Sequence, residues 1–243
     1  MALDDTATAA GVRGISLLNN TGATTAFTGA MALSTTTNPA FTATGGGTVA
    51  ASGAVTRTLA TTTGIALNVV NTPIGAAGLT FTSVSSNGAS SGIVLNNTGV
   101  AAGLSVTGAA PTPNSGGSIL NSTGAGISLT TTYIPSFTYM LIQNSGGSGV
   151  QGTDVNGFSF TRGAIINSGT GLAVGSSNIA FNTTTTGTER NLSGTVSILN
   201  NTLSNAYYHG VDIFNYSGTI DNLTISNNVI TSSTAQASSN GSG

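Results

Sequence analysis

The chain has 243 residues, with no Cys, no Trp and no Lys, and four Arg against six acidic residues leave a formal net charge of −2. Charged residues are 4% of it, against roughly 25% in a typical soluble domain, so it cannot build the cationic surface that nucleic acid requires. Missing Cys excludes disulfides and thiolate metal sites, a single histidine at 209 excludes a His-clustered zinc site, and no apolar run reaches the ~18 residues of a transmembrane helix; no cofactor or metal is expected.

Gly, Thr, Ser and Asn make up more than half of the chain. Such enrichment often accompanies disorder. Here 38% of residues are hydrophobic, and they alternate with polar ones in short blocks such as Gly126-Ile127-Ser128-Leu129-Thr130. That alternation predicts a folded chain of short strands with a hydroxyl and amide surface.

Residues 1–10 read as a lead-in or cap. Met1-Ala2-Leu3-Asp4-Asp5 has neither the basic region nor the apolar core of a signal peptide. Both ends read as cut from a longer protein. The body, residues 11–231, opens on the phrase Gly-apolar-any-apolar at Gly14-Ile15-Ser16-Leu17 and repeats it at Gly64, Gly92 and Gly126. Looser copies stand at Gly171-Leu172-Ala173-Val174 and Gly210-Val211-Asp212-Ile213. Each predicts two apolar side chains on one face of a short strand. Between Thr24 and Val55 runs of Ala and Thr blur the pattern and predict thin or looped-out coils. Asn38-Pro39, Thr72-Pro73 and Pro111-Thr112-Pro113 predict loops. Between Asp154 and Arg162 a plain surface ion pair is expected. Glu189-Arg190 follows a Thr run and reads as a protruding loop. Residues 232–243 read as a flexible polar tail.

A second phrase sets the architecture. Apolar residues run into Asn and then small polar residues at Asn19, Asn96, Asn121, Asn144, Asn167 and Asn200. Asn tolerates the left-handed conformation that a tight turn needs. Asn121, Asn144 and Asn167 recur every 23 residues, and such a period marks a solenoid. No segment carries the 3.6-residue period of a helix. The expected fold is all-β: a single-stranded parallel β-helix of about ten coils of roughly 23 residues, about 50 Å long, with asparagine ladders at its corners.

The Gly-Ile-Ser-Leu and Asn-Asn-Thr-Gly phrases with this period resemble right-handed parallel β-helix repeats of bacterial surface and secreted proteins, of autotransporter-passenger-like and pectate-lyase-like architecture. The resemblance implies the right hand of the coil and an extracellular or cell-surface location. It implies a structural role (spacer, adhesin stalk or filament subunit) as readily as a polysaccharide-cleaving one.

Candidate chemistry is sparse. Tyr207-Tyr208-His209-Gly210-Val211-Asp212 is the best constellation: Asp212 and His209, with Asp154 one coil away, as acid and base, and Tyr207 and Tyr208 as sugar platforms. The plainer reading is a corner whose Tyr rings cover the core. Thr rows also suggest an ice-binding face, but Thr44, Thr82 and Thr107 fall into no obvious common register. The leading expectation is therefore a non-enzymatic structural segment, with carbohydrate binding or cleavage second and ice binding third. Expected partners are a glycan or host surface and a second copy stacked end to end. Against such stacking, Asp4, Asp5 and Arg13 would guard one end and the polar tail the other.

Overall fold

Alternating apolar and hydroxyl side chains favour extended backbone, and tight Asn and Gly corners leave no length for crossover helices. The computed structural model accordingly stacks short parallel strands into a β-solenoid; it describes residues 3–6, 14–173 and 175–232. Three faces run along its axis. Face A holds nine strands, from Leu3–Thr6 through Leu141–Ser145 to Val229–Thr231. Faces B and C join into one 15-stranded sheet because the strand Val150–Thr161 turns their shared corner and pairs on both. No helix among the described residues is long and apolar enough to cross a membrane.

The turn count is about eight rather than ten. On face A, Met31 lies over Leu3, Arg57 over Met31, Ser83 over Thr58 and Ile119 over Ser86. Leu141 then lies over Ser118, Ala164 over Leu141, Thr202 over Ala164 and Val229 over Thr202. The steps are thus 28, 26, 25, 33, 23, 23, 38 and 27 residues. The 23-residue period that Asn121, Asn144 and Asn167 display holds for two turns. Elsewhere insertions at the corners lengthen the turn, and the strand pairing shifts register only locally, at Val49/Ala51, Asn156/Phe158 and Gly194/Thr195. At about 4.8 Å per turn the stack is about 40 Å long. The expected looping-out of Thr24–Val55 does not occur. Strands Thr24–Phe27, Met31–Thr35, Phe41–Thr44 and Thr48–Ala51 all pair in parallel with their neighbours, with one register shift where Thr48–Ala51 meets Ile74–Phe81. Their small inward residues are compensated by Phe27, Phe41 and Phe81, packed edge to face at 5.6 and 5.8 Å. The phrase at Gly171 forms no strand: residues 171–173 lie in a loop, residue 174 is outside the described residues, and Ile179–Phe181 takes the place in the sheet.

Inward side chains form continuous columns. On face B these are Phe41, Leu67, Ile93, Ile127, Val150 and Ile179, stacked residue over residue and fully buried. On face C they are Phe81, Val106, Phe137, Phe160 and Ile198. Arg57 joins the interior: its guanidinium donates to the carbonyls of Phe27 at 3.1 Å, Gly53 at 3.3 Å and Ser52. Burial pushes its pKa down.

The corners repeat one device, a residue at positive φ. Between faces A and B it is Asn121, Asn144 and Asn167 at φ 53°, 57° and 57°. Their amides donate in a ladder, each to the turn below: Asn121 to Asn87 at 2.7 Å, Asn144 to Asn121 at 3.0 Å and Asn167 to Asn144 at 3.0 Å. Between B and C the positive-φ residues include Asn19, Gly45, Asn71, Asn97, Thr131 and Asp154, with Asn97 donating to Asn71 at 3.0 Å. Asn97, not Asn96, therefore makes that turn; Asn96 is the last residue of its strand. Between C and A the device is Tyr139, Arg162, Asn200 and Asn227. Replacing Asn144 with Ala removes two ladder bonds and forces a Cβ residue without a compensating amide into the left-handed region. A loss of about 1–3 kcal/mol is expected. Asn144→Gly keeps the conformation and should lose less, and urea denaturation of the pair separates the two contributions.

A small inward residue follows each ladder Asn. Ser122, Ser145 and Ser168 are buried, and their hydroxyls have no hydrogen-bond partner among the described residues. A buried, unmatched hydroxyl carries a desolvation penalty. Ser145→Ala is therefore expected to leave stability unchanged or raise it by up to about 1 kcal/mol; a marked loss on denaturation would contradict that.

Candidate functional site

The longest turn builds the site. Between Ala164 and Thr202 it carries two insertions, residues 169–178 and 182–191, one on each side of the strand Ile179–Phe181. They stand beside the outward face of B. With the corner Tyr208–His209 of the following turn they flank a groove of about 620 Å³, lined among others by Gln151, Asn182, Thr184, Tyr208, His209 and Asp212.

The groove floor is a polar ladder across three turns. Gln151 lies against Ala180, and Ala180 against Asp212, in parallel register, so side chains on this face meet along the axis. Ser148 Oγ donates to Gln151 Oε1 at 3.0 Å, and Gln151 Nε2 donates to Asn182 Oδ1 at 3.3 Å. Asn182 Nδ2 donates to Asp212 Oδ2 at 2.7 Å and to the Gly175 carbonyl at 2.9 Å. His209 Nδ1 lies 3.6 Å from the same Asp212 oxygen. The His209 segment is held from below: its N–H donates to Ser177 Oγ at 3.2 Å, and its carbonyl accepts from Asn178 N–H at 2.9 Å. Tyr208 and His209 pack edge to face at 4.1 Å. Phe214, 43% exposed, stands at the far wall.

The expected constellation is thus partly assembled. Tyr208, His209 and Asp212 share the groove. Tyr207 does not line it: its Cβ sits over Gly169, where an added Cβ would meet it at 2.6 Å, and its N–H donates to the Ser168 carbonyl at 2.8 Å. Asp154 does not join Asp212. It occupies the B–C corner at φ 55° and pairs with Arg190 at 2.6 Å, not with Arg162, which lies at the C–A corner. Asp154, Arg190 and Tyr133 line a separate hollow of about 360 Å³. Asp221 lies in the strand Ile220–Ser226 on face C. Asp212 is therefore the one carboxylate among the described residues lining the groove, whereas general acid–base cleavage of a glycosidic bond uses two. Among the described residues no three His, Asp or Glu side chains come together as a metal site. No local motif marks Gln151 or Asn182 as groove residues; the signal that could find them is the departure of their turn from the 23-residue period.

Glu189 shows why its loop holds. It is 9% exposed, and its carboxylate accepts from Thr185 Oγ1 at 2.9 Å, from Thr188 N–H at 3.1 Å and from Thr186 N–H. Burial pushes its pKa up, but these hydrogen bonds outweigh burial and hold it down at about 2. A carboxylate with a lowered folded pKa stabilises fully above its unfolded pKa of about 4.3. That contribution is lost as the pH falls through about 2. Amide exchange in residues 183–191 is expected to accelerate between those limits, and Glu189→Gln should remove the pH dependence.

Comparison of the chain with protein-family models, with curated protein sequences and with solved structures gives no match.

Proposed function

We propose that the chain is a structural spacer, a stiff segment that sets distance within an extracellular or cell-surface assembly. The observation that supports this reading is the unbroken stack: eight successive steps on face A pair in parallel, over core columns that pass through every interior turn. Stiffness in such a stack comes from neighbour-to-neighbour contact alone. The hydroxyl and amide surface keeps it solvated without charge. A spacer must tolerate whole-turn changes in length. Deleting residues 141–163 brings Ala164 directly over Ser118, the register both already share with Leu141. The deleted protein is expected to fold and to be shorter by one strand spacing, about 4.8 Å. Collapse of the stack upon that deletion would contradict the reading.

A second reading rests on the groove. Its floor offers amide donors and acceptors and one carboxylate, and its walls carry Tyr208 and Phe214. That combination suits a neutral saccharide, whose hydroxyls pair with amides and whose ring faces lie on aromatic rings. Tyr208→Ala and Asp212→Ala should each abolish binding in a panel of neutral oligosaccharides. A panel that shows no binding to the unaltered protein removes this second reading and leaves the spacer.

A further inference from the structure

We infer that the hollow at the corner between faces B and C is a binding site for a single neutral sugar ring, separate from the groove on face B. The inference goes beyond the spacer reading and does not rest on the groove. Four successive turns build the hollow: Asn97 and Val100 come from one, Tyr133 from the next, Asp154 from the third and Arg190 from the fourth. Its volume of about 360 Å³ lies within the range of small-molecule pockets, about 300–1,000 Å³. It opens where the asparagine ladder of this corner stops. Asn97 donates to Asn71, but the corner residue of the next turn is Thr131 and of the turn after it Asp154. Neither carries an amide to donate to Asn97 Oδ1. An ion pair stands in the ladder's place. Arg190 reaches in from the turn above, and its Nε and Nη2 both donate to the same oxygen of Asp154, Oδ1, at 3.1 and 2.6 Å. Gly218 backs the Arg190 stem, since an added Cβ there would collide with Arg190 Cγ.

This arrangement leaves polar groups unmatched. Asp154 Oδ2, Arg190 Nη1, Tyr133 Oη and Asn97 Oδ1 have no hydrogen-bond partner among the described residues. Thr132 also lines the hollow; it is 4% exposed, and its hydroxyl has no partner among the described residues either. In the groove, by contrast, Gln151, Asn182 and Asp212 are bonded to one another. The unmatched set selects a ligand class. Asp154 and Arg190 carry opposite charges, so an anion drawn to one meets the other, and so does a cation. A hydroxyl donates and accepts at once. Two hydroxyls on adjacent carbons can accept from Arg190 Nη1 and donate to Asp154 Oδ2 together. Val100, 81% exposed, and the Tyr133 ring supply apolar surface for the C–H face of a sugar. Both demands meet in a neutral pyranose with vicinal hydroxyls.

The test is an NMR titration of the isotope-labelled chain with the methyl pyranosides of glucose, galactose and mannose. A ligand of this size is expected to bind with a Kd on the order of 1 mM. At least one of the three should shift the amides of residues 97–100, 131–133 and 154–156 and leave residues 208–214 unmoved. Arg190→Ala should weaken binding about tenfold or more, through loss of a charge-assisted contact. Asp212→Ala, in the groove, should leave it unchanged. Tyr133→Ala carries the same expectation as Arg190→Ala without touching the ion pair, so a loop disturbed by the first variant does not decide the outcome. The methyl glycoside of glucuronic acid should bind more weakly than its neutral counterpart. No shift with any of the three neutral sugars overturns the inference. So do binding that survives unweakened in both variants, shifts confined to residues 208–214, and tighter binding of the glucuronide.

Discussion

Phe41→Ala is expected to lower stability by about 3–5 kcal/mol, the range for emptying a fully buried aromatic site. Phe41 is fully buried, lies between Phe27 and Phe81 in edge-to-face contact, and stacks over Ile15 and under Leu67. Its neighbours cannot close the space. Ala40, Ala43, Ala50 and Ala51 surround the N-terminal turns with small side chains that already rely on the aromatic column for filling. In a stack of neighbour contacts the damage should be local. Amide exchange is expected to accelerate across residues 24–81 and to stay slow across residues 136–168. A loss under about 1 kcal/mol, or uniform loosening of the chain, would contradict this account of the N-terminal turns.

Gly152→Ala is the second large effect, through crowding instead of a void. Gly152 lies on face B opposite Leu129, and a Cβ there would collide with the Phe181 ring of the next turn. Phe181 cannot retreat freely, because it is fully buried and packs edge to face on Phe158 at 5.0 Å. Overpacking of this kind costs about 1–3 kcal/mol. Phe181→Leu in the same chain should restore part of the loss, and a double-mutant cycle measures the coupling. Additive losses would show that the glycine is not there to clear the ring.

These two sites also show how far the sequence could be read. Alternation and Asn corners revealed the strands, the parallel stack and the ladder Asn121–Asn144–Asn167, because each is written in adjacent residues or in an even spacing. Gly152 and Phe181 are 29 positions apart, and no local pattern says that one must make room for the other. The number of turns is hard to read from sequence for a related reason. Corner insertions keep the strands paired in parallel but spoil the period, so a count from the regular turns at 118–164 overestimates the number of turns. Thr44, Thr82 and Thr107 share no one register: the Thr107 N–H donates to the Phe81 carbonyl and Val106 pairs with Phe81, which sets Thr107 over Thr82, whereas Thr44 lies on face B beside Val70. Asp154, expected one coil away from Asp212, instead sits at a corner at φ 55° and pairs with Arg190.

The groove was legible only in its C-terminal wall. Tyr208, His209 and Asp212 are neighbours in sequence. Gln151 and Asn182 reach them by stacking, a relation that depends on insertions of unequal length. The Asp154–Arg190 pair, with side chains 36% and 49% exposed, is an ion pair of the kind that contributes about 0–1 kcal/mol, and it fixes the loop after Glu189 more than the fold.

Stiffness is the central claim, and the absence of cysteine makes it directly measurable. Ser34 and Thr202 are exposed on face A and lie in one column, linked through Ala60, Ser85, Ser118, Leu141 and Ala164. Six turns separate them, or about 29 Å. Spin labels on Ser34→Cys and Thr202→Cys, read by pulsed electron resonance, should give one narrow distance near that value after allowance for the labels. A broad or multimodal distribution would show a chain that bends between its turns, and the spacer account would fail.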